Sequence, residues 1–492
     1  MSHSHVEVRP GAYADSVALL QVSRAVQQVA GVEAAQVAMG TPLNRDLLAQ
    51  MGFELPEVSA NDLVVAVRVA TADRLGDALA AVEEAMARRG RRTPAAAEGA
   101  ETPPRTTAAA LRGADPRDLV LVSVPGASAL VEAMDALDAG HDVMVFSDNV
   151  PVEHELALKT AAAERDLLVM GPDCGTAVVG GLGLGFANTC TPGPVGVVAA
   201  SGTGCQQLMC LLEHAGVGVG TALGVGGRDL SSAIGGRSTL EALRRLDADP
   251  DVELVVVVSK PPAAEVAAAV RACADELGTP VQLALLGPGE PDLTTAAERA
   301  LGALGRAVPE WPVWGTAGLA QGDLLRGLFV GGTLCDEAML IATGTLGPVR
   351  SNIPLSPDLA LGPDLEADAH TMIDFGDDAL TAGRAHPMID PTLRLEHLAR
   401  VARDPRTGVV LLDVVLGHGA EADPAASLAP AVASALQAAP GDLAVVVSCV
   451  GTELDPQGLD RQVQALVEAG AEVHLSNARA TRRALDILGG VR

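Results

Sequence analysis

Short runs of nearly pure aliphatic residues recur along this chain and leave it few folds to choose from. "LVLVSV" (residues 119–124), "VGVVAA" (195–200), "ELVVVVS" (253–259), "GVVLLDVVL" (408–416) and "LAVVVSCV" (443–450) are short for buried helices and lack a polar alternation. Such runs read as strands covered on both faces, as in parallel sheets flanked by helices. Ala/Leu-rich segments of helical character separate them, so the pattern is strand–helix–strand. Aromatic residues make up only 2 % of the chain against 48 % hydrophobic residues, so the core is aliphatic. At 492 residues the chain exceeds one core, and length alone predicts roughly three to four domains.

The expected class is α/β, with several parallel-sheet, Rossmann- or flavodoxin-like domains and a small N-terminal α/β, ferredoxin-like domain. Residues 1–90 read β-α-β-α-β-α, with Asp15 as N-cap of the first helix. Residues 91–116, rich in Pro, Ala, Arg and Thr and without periodicity, read as a linker. Residues 117–192 read as a βαβαβ unit, 193–310 as a second α/β unit, and 317–492 as a third, with "EWPVWGT" (310–316) as the boundary. The Pro/Gly-rich excursion "GTLGPVRSNIPLSPDLALGPDLEADA" inside the third is read as a binding loop or disorder.

A formal net charge of −28 and the lack of any basic, aromatic-interleaved stretch argue against a nucleic-acid partner. Seven cysteines without a CxxC pair argue against a disulfide framework and against a zinc site, and no metal is expected. "MSHSHVEVRPG" lacks an apolar signal core and no apolar run approaches the roughly 20 residues of a membrane span, so no membrane partner and a cytoplasmic location are expected.

"VVAASGTGCQQL" (197–208) and "LFVGGTLCDEAM" (328–339) share one plan: an apolar strand, a small-residue turn, then a helix. In open parallel sheets, ligands bind beyond the carboxyl ends of strands, where a helix N-terminus offers unpaired N–H groups and a positive dipole end. Ser201, Gly202, Thr203 and Gly204, with Gly331, Gly332 and Thr333, suit close approach of an anion. Each turn alone is equally a plain strand-to-helix connection; the repetition favours one anion site between two helix ends.

Other residues suggest chemistry by type and place. In "GVGGRDL" (224–230), Gly226 and Gly227 precede Arg228, which suits carboxylate or phosphate recognition or forms a surface pair with Asp229. Asp413 falls inside an apolar strand, needs partners there and is a candidate catalytic residue. His418, flanked by Gly417 and Gly419, is a candidate acid/base or anion donor, or a plain loop histidine. Cys174 in "GPDCGTA" is a nucleophile, a site-lining residue or part of a turn, with Asp173 and Thr176 beside it.

"VPGASALVEAMDALDAG", "GPDCGTA", "VGVVAASGTGCQQL" and "GVGGRDL" with the "TLEALRRLDADPDVELVVVV" that follows resemble, in order, the succinyl-CoA synthetase α subunit. The segments "AHTMIDFGDDA" and "HLARVARDPRTGVVLLDVVLGHGAEAD" resemble the carboxyl-terminal domain of its β subunit. The fused arrangement, with "GAYADSVALLQVS", "MGTPLNRD" and "AHPMIDPTLRLEHL", resembles the FdrA family of acyl-CoA-synthetase-like proteins over nearly the whole chain. The resemblance implies domains of succinyl-CoA synthetase type, a CoA-binding-like domain at 117–192, and the two turns as halves of a phosphate site. It also brings His386 and Glu453 forward as substrate-site candidates, and Cys174 and Thr176 as neighbours of the transferred group.

The sequence departs from the ligases where they carry a phosphohistidine. That loop here reads "LALLGPGEPDLTT", with no histidine between His214 and His370, and Lys260 and two prolines stand where the ligases have an acidic turn. No stretch has the length of an ATP-grasp domain, so an ATP-driven phosphohistidine relay is not expected. The FdrA resemblance implies instead one subunit of an oxamate carbamoyltransferase in ureide (allantoin) and purine breakdown. It would act with other protein subunits, or as a homo-oligomer, on carbamoyl phosphate or phosphate and oxamate or oxalurate. The alternatives are an acid–CoA ligase, with CoA as candidate ligand, and a CoA-binding regulatory scaffold.

Overall fold

In a computed structural model of the chain the described residues are 2–12, 14, 16–90, 104–115, 117–381 and 384–489. Asp15 and residues 91–103 and 116 of the expected linker lie outside them. The rest of that segment contains a helical turn, Thr107–Ala110, capped by the Thr106 hydroxyl, which accepts the Ala109 N–H at 3.1 Å.

Two compact units form: Met1–Pro103 with Asp378–Asp390, and Pro104–Asp377 with Pro391–Arg492. In the first, the strands His3–Arg9 and Val32–Met39 flank Leu63–Val69 in an antiparallel three-stranded sheet. Period-two alternation sends Leu63, Val65, Val67 and Val69 into one apolar cluster with the helices Ser16–Gln27 and Leu75–Gly90, and Val64 and Ala66 into another with Leu48 and Phe53. This is a small α/β domain with three strands, one fewer than the full ferredoxin-like plan.

The second unit contains three sheets. The first is parallel and three-stranded: Val120–Val122, Val143–Val145 and Val169–Met170. The second runs Val281–Leu285, Leu254–Ser259, Val195–Ala200, Val219–Gly224, Thr176–Val179, Leu182–Gly185. Its first four strands are parallel; the last two form an antiparallel hairpin. The third runs Val313–Trp314, Glu472–His474, Ala444–Val450, Thr407–Val415, Leu324–Phe329, Thr371–Asp374, parallel except at its Val313–Trp314 edge. Every residue of Val195–Ala200, Leu254–Ser259 and Thr407–Val415 is buried, as the unbroken aliphatic runs require.

Three boundaries differ from expectation. The hairpin 176–185, read as part of 117–192, pairs through Val178 with Ala222 of the second sheet. The expected boundary 310–316 supplies the edge strand Val313–Trp314. Residues 378–390, read as part of 317–492, belong to the first unit. Among the described residues, no helix is long and apolar enough to cross a membrane.

Candidate functional site

The two repeated turns meet. Val195–Ala200 delivers Ser201 to the start of the helix Gly202–His214, and Leu324–Phe329 delivers Gly331 to the start of Gly332–Leu346. The Ser201 hydroxyl accepts the Gly204 N–H at 3.0 Å and donates to the Thr333 hydroxyl at 2.6 Å. A side chain on Gly331 would bring its Cβ to 3.0 Å from that of Thr203, so the second turn must be small there. The N–H groups of Gly202, Thr203, Gly332 and Thr333 lie in first turns, where no intrahelical acceptor exists, and two positive dipole ends converge.

The second turn has no capping side chain of its own. Asp413, fully buried on Thr407–Val415, accepts the N–H groups of Val330 and Gly331, each at 2.8 Å. Arg394 from the helix Thr392–Val401 donates to the Asp413 carboxylate at 3.0 Å and to its carbonyl at 2.7 Å. Burial raises the Asp413 pKa to about 6 against the opposing pull of Arg394 and the two N–H groups. Asp413 thus holds the turn rather than facing a substrate.

Beside Gly332 lies a charged group that sequence reading did not assemble. A Cβ on Gly332 would lie 2.6 Å from Asp374 Oδ2 and 3.1 Å from Lys260 Nζ. Lys260 follows the strand Leu254–Ser259 and pairs with Asp336 at 3.5 Å. Asp374 ends the strand Thr371–Asp374; its Oδ1 accepts the Gly376 N–H at 2.9 Å. The Pro/Gly-rich excursion clasps its backbone, Asn352 Oδ1 accepting the Asp374 N–H at 2.9 Å and Asn352 Nδ2 donating to its carbonyl at 2.8 Å. Burial raises the Asp374 pKa to about 7, although Lys260 pulls it down. Asp374 and Asp336 carry no local motif; the usable signal was an acid ending an apolar strand and Lys260 replacing an acid.

The remaining candidates divide. Thr176 lies 3.5 Å from where a Gly202 Cβ would be, but its hydroxyl donates to the Phe186 carbonyl at 2.9 Å. Asp173, with a φ of 55°, is close enough to raise the Lys260 pKa. Cys174 is 1 % exposed, and burial pushes its thiol pKa well up, so a thiolate nucleophile is disfavoured there. Gly226 packs on Pro172, while Gly227 is open. Arg228 does not pair with Asp229: its Nε donates to Glu155 at 3.0 Å and its Nη2 to the Val150 carbonyl at 2.8 Å. Asp229 instead accepts from the fully buried Lys159 at 2.7 Å and from the Thr239 hydroxyl at 2.7 Å. Those bonds consume Arg228 and Asp229 in holding their own turn.

His418 lines a separate cavity of about 290 Å³ with Asn188, Thr189 and Cys190, its Nε2 lying 3.2 Å from the Thr189 hydroxyl. The Gly417 N–H donates to Gln457 at 3.0 Å, and Gly419 has a φ of 80°. Glu453 is exposed beside Asp460, which helps raise its pKa. His386 lies in the other unit, where burial lowers its imidazole pKa to about 4.

Comparison with known proteins adds to this geometry. Residues 328–487 match the CoA-ligase family model, and residues 1–103 match the AllF heavy metal-associated domain. The residues of the first unit include no cysteine, and among the described residues no group of three His, Cys, Asp or Glu side chains could hold a metal. The thiolate donors that suit a soft metal are missing there, and no chemistry is assigned to a metal. Subunit alpha 2 of the ADP-forming succinate–CoA ligase of Archaeoglobus fulgidus is 33 % identical over 155 residues, 31 % of this chain and 52 % of that subunit. The chain therefore spans about half the length of that relative. A dinucleotide-forming acetyl-coenzyme A synthetase 1 of Ca. Korarchaeum cryptofilum aligns with a TM-score of 0.32 and 16 % identity, over 82 % of this chain and 88 % of that one. The uncharacterized protein YahF of Escherichia coli (strain K12) is 38 % identical over 496 residues, 94 % of this chain and 95 % of YahF. The chain belongs to the family of YahF, an α/β, acid–CoA-ligase-like family with similarity to succinyl-CoA ligase α subunits.

Proposed function

We propose that this chain is the phosphate-handling subunit of a carbamoyltransferase, moving a carbamoyl group between oxalurate or oxamate and phosphate. The observation that carries this reading is the meeting of two helix N-termini at Ser201 and Thr333, with Lys260 alongside. Such an arrangement lowers the energy of charge growing on a transferring or departing phosphate, because fixed N–H dipoles already point at it. It needs neither ATP nor a phosphohistidine, in keeping with the absence of histidine between His214 and His370. The FdrA resemblance supplies the carbamoyl group and oxamate, and the requirement for further protein subunits.

A second reading is acid–CoA ligation, favoured by the CoA-ligase match over residues 328–487. The helix Gly126–Asp138 opens behind Pro125 without a side-chain cap, beyond the end of the strand Val120–Val122. A helix N-terminus at that place suits a diphosphate such as that of CoA. A regulatory scaffold would use the same binding without turnover.

A thermal-shift titration with carbamoyl phosphate, phosphate, oxamate, CoA and ATP separates these readings. A ligand at about a hundred times its dissociation constant adds roughly 2.7 kcal/mol to the native state. Stabilisation by carbamoyl phosphate or phosphate without ATP is the expected result; stabilisation by CoA together with ATP returns the chain to ligase chemistry. Ser201→Asp places a carboxylate at the first helix end and is expected to abolish phosphate binding. Unchanged phosphate affinity in that variant would remove the first turn from the site.

A further inference from the structure

Lys260 and Asp374 come from different sheets of the second unit, each at the carboxyl end of its strand, and both face the first residue of the helix Gly332–Leu346. Their separation from Gly332 is so small that only a residue without a side chain fits between them. One residue further on, Thr333 receives the Ser201 hydroxyl, so the pair adjoins the point where the two helix ends meet. Lys260 keeps part of its side chain open to solvent, while Asp374 is buried and its Oδ1 is taken by the Gly376 N–H. Oδ2 is the atom turned toward Gly332 and Lys260.

We propose that Lys260 and Asp374 are the cation and the acid/base of this site, Lys260 neutralising the bound phosphate and Asp374 carrying the proton of the transfer. This rests on the carbamoyl-transfer reading. In the phosphorolytic direction a phosphate oxygen attacks the carbamoyl carbon of oxalurate. The bond from that carbon to the amide nitrogen breaks, and the nitrogen leaves with the bonding pair. Asp374 gives its proton to that nitrogen, releasing oxamate, and regains one from the hydroxyl of the attacking phosphate. Carbamoyl phosphate is the other product, and no oxidant, nucleotide or metal is needed for the balance. An amide nitrogen is a poor leaving group unless protonated as it departs, which is the work a positioned acid does.

The charges around the pair set the expected pH response. Asp374 faces Lys260, Asp336 and Asp377, and Lys260 faces Asp336, Asp374, Asp173 and Cys335. Burial lowers the Lys260 pKa, but Asp336 and Asp173, joined by Asp374 once it ionises, more than offset this and raise it, and burial moves the Asp374 pKa to about 7. Sulfate is the test probe, because its charge is constant where that of phosphate is not.

Isothermal titration of the full chain with sulfate, from about pH 6 to about pH 8, is expected to show affinity falling roughly tenfold as Asp374 ionises beside the anion. Asp374→Asn should hold the tighter value at every pH, since it keeps the shape and removes the titrating charge. Lys260→Met should weaken sulfate at least about tenfold at every pH, an unpaired anion having lost its cation. Denaturation curves confirm that each variant is folded. If Asp374→Asn retains the wild-type pH slope, or if Lys260→Met binds as tightly as wild type, the pair does not face the anion and the inference falls, while the helix-end site stands. If wild-type protein binds sulfate at no pH, the anion site itself is wrong and the proposed function falls with it.

Discussion

The helices Gly202–His214 and Gly332–Leu346 begin almost identically, "GTGCQQ" and "GTLCDE", yet they are held in opposite ways. The first is capped by its own neighbour, Ser201, through a bond to Gly204. The second has a glycine at that place and no capping side chain; the turn that leads into it is held by Asp413, more than eighty residues along the chain, which accepts the Val330 and Gly331 N–H groups and is backed by Arg394. The difference continues one turn on. Gln206 and Gln207 of the first helix are neutral amides; Asp336 and Glu337 stand at the same positions of the second. Both helices nevertheless grip Asn477 at the start of the last helix: Gln207 accepts its backbone N–H at 2.9 Å, and Glu337 accepts from its side chain at 2.7 Å. A local cap makes the first turn self-sufficient, whereas the second depends on the sheet being assembled. Of the acids on the second helix, Asp336 pairs with Lys260 and Glu337 with Asn477.

The largest effect expected from this asymmetry is at Asp413, the remote anchor of the second turn. Asp413→Ala leaves two N–H groups without an acceptor and the buried Arg394 without its carboxylate, and should lower stability by about 3–5 kcal/mol in urea denaturation. A loss no greater than that of Ser201→Ala would mean that the second turn holds itself. Converting the first helix toward the second is the next test. Gln207→Glu buries a carboxylate where an amide donated to the Leu475 carbonyl at 3.1 Å, and should cost about 1–3 kcal/mol at neutral pH. Little change there would show that the amide–acid difference is incidental.

Ser201→Ala removes a local cap and should cost about 1 kcal/mol. Its denaturation midpoint, set beside that of Asp413→Ala, measures the difference between a local cap and a remote anchor of the turn. The last difference concerns pH. Burial raises the Glu337 pKa to about 7, so the native state holds that proton more tightly than the unfolded chain does. Its contribution is present below about pH 4.5 and lost as pH rises through about 7, so the wild-type stability falls across that window. Glu337→Gln should flatten the fall; equal slopes in the two proteins would show that Glu337 does not titrate there.

Much of the architecture was readable before the fold was known. The strands at 195–200, 254–259 and 407–415 are aliphatic on both faces and could be little else, and the two turns were marked by their small residues. The site was less legible. Cys174, Arg228 and Asp413 were singled out by residue type, but type does not say which way a side chain is committed. Cys174 is enclosed by its own sheet, Arg228 is consumed by Glu155 and Val150, and Asp413 is consumed by a turn it was not known to approach. Asp374 is not legible in the sequence, because one acid at a strand end has no pattern around it. Only the pairing of Phe329 with Asp374 brings it beside the second helix.

Hydrophobic periodicity and turn composition are properties of neighbouring residues, so the sequence alone determined the strand–helix alternation, the class of the sheets and the places where helices open. The partners of buried polar groups are set by strand order and register, which bring together residues far apart in the chain. The Ser201–Thr333 contact, the anchoring of the second turn by Asp413 and the pairing of Lys260 with Asp336 beside Asp374 were therefore decided by the tertiary structure. A buried charge must find its partner wherever topology puts one.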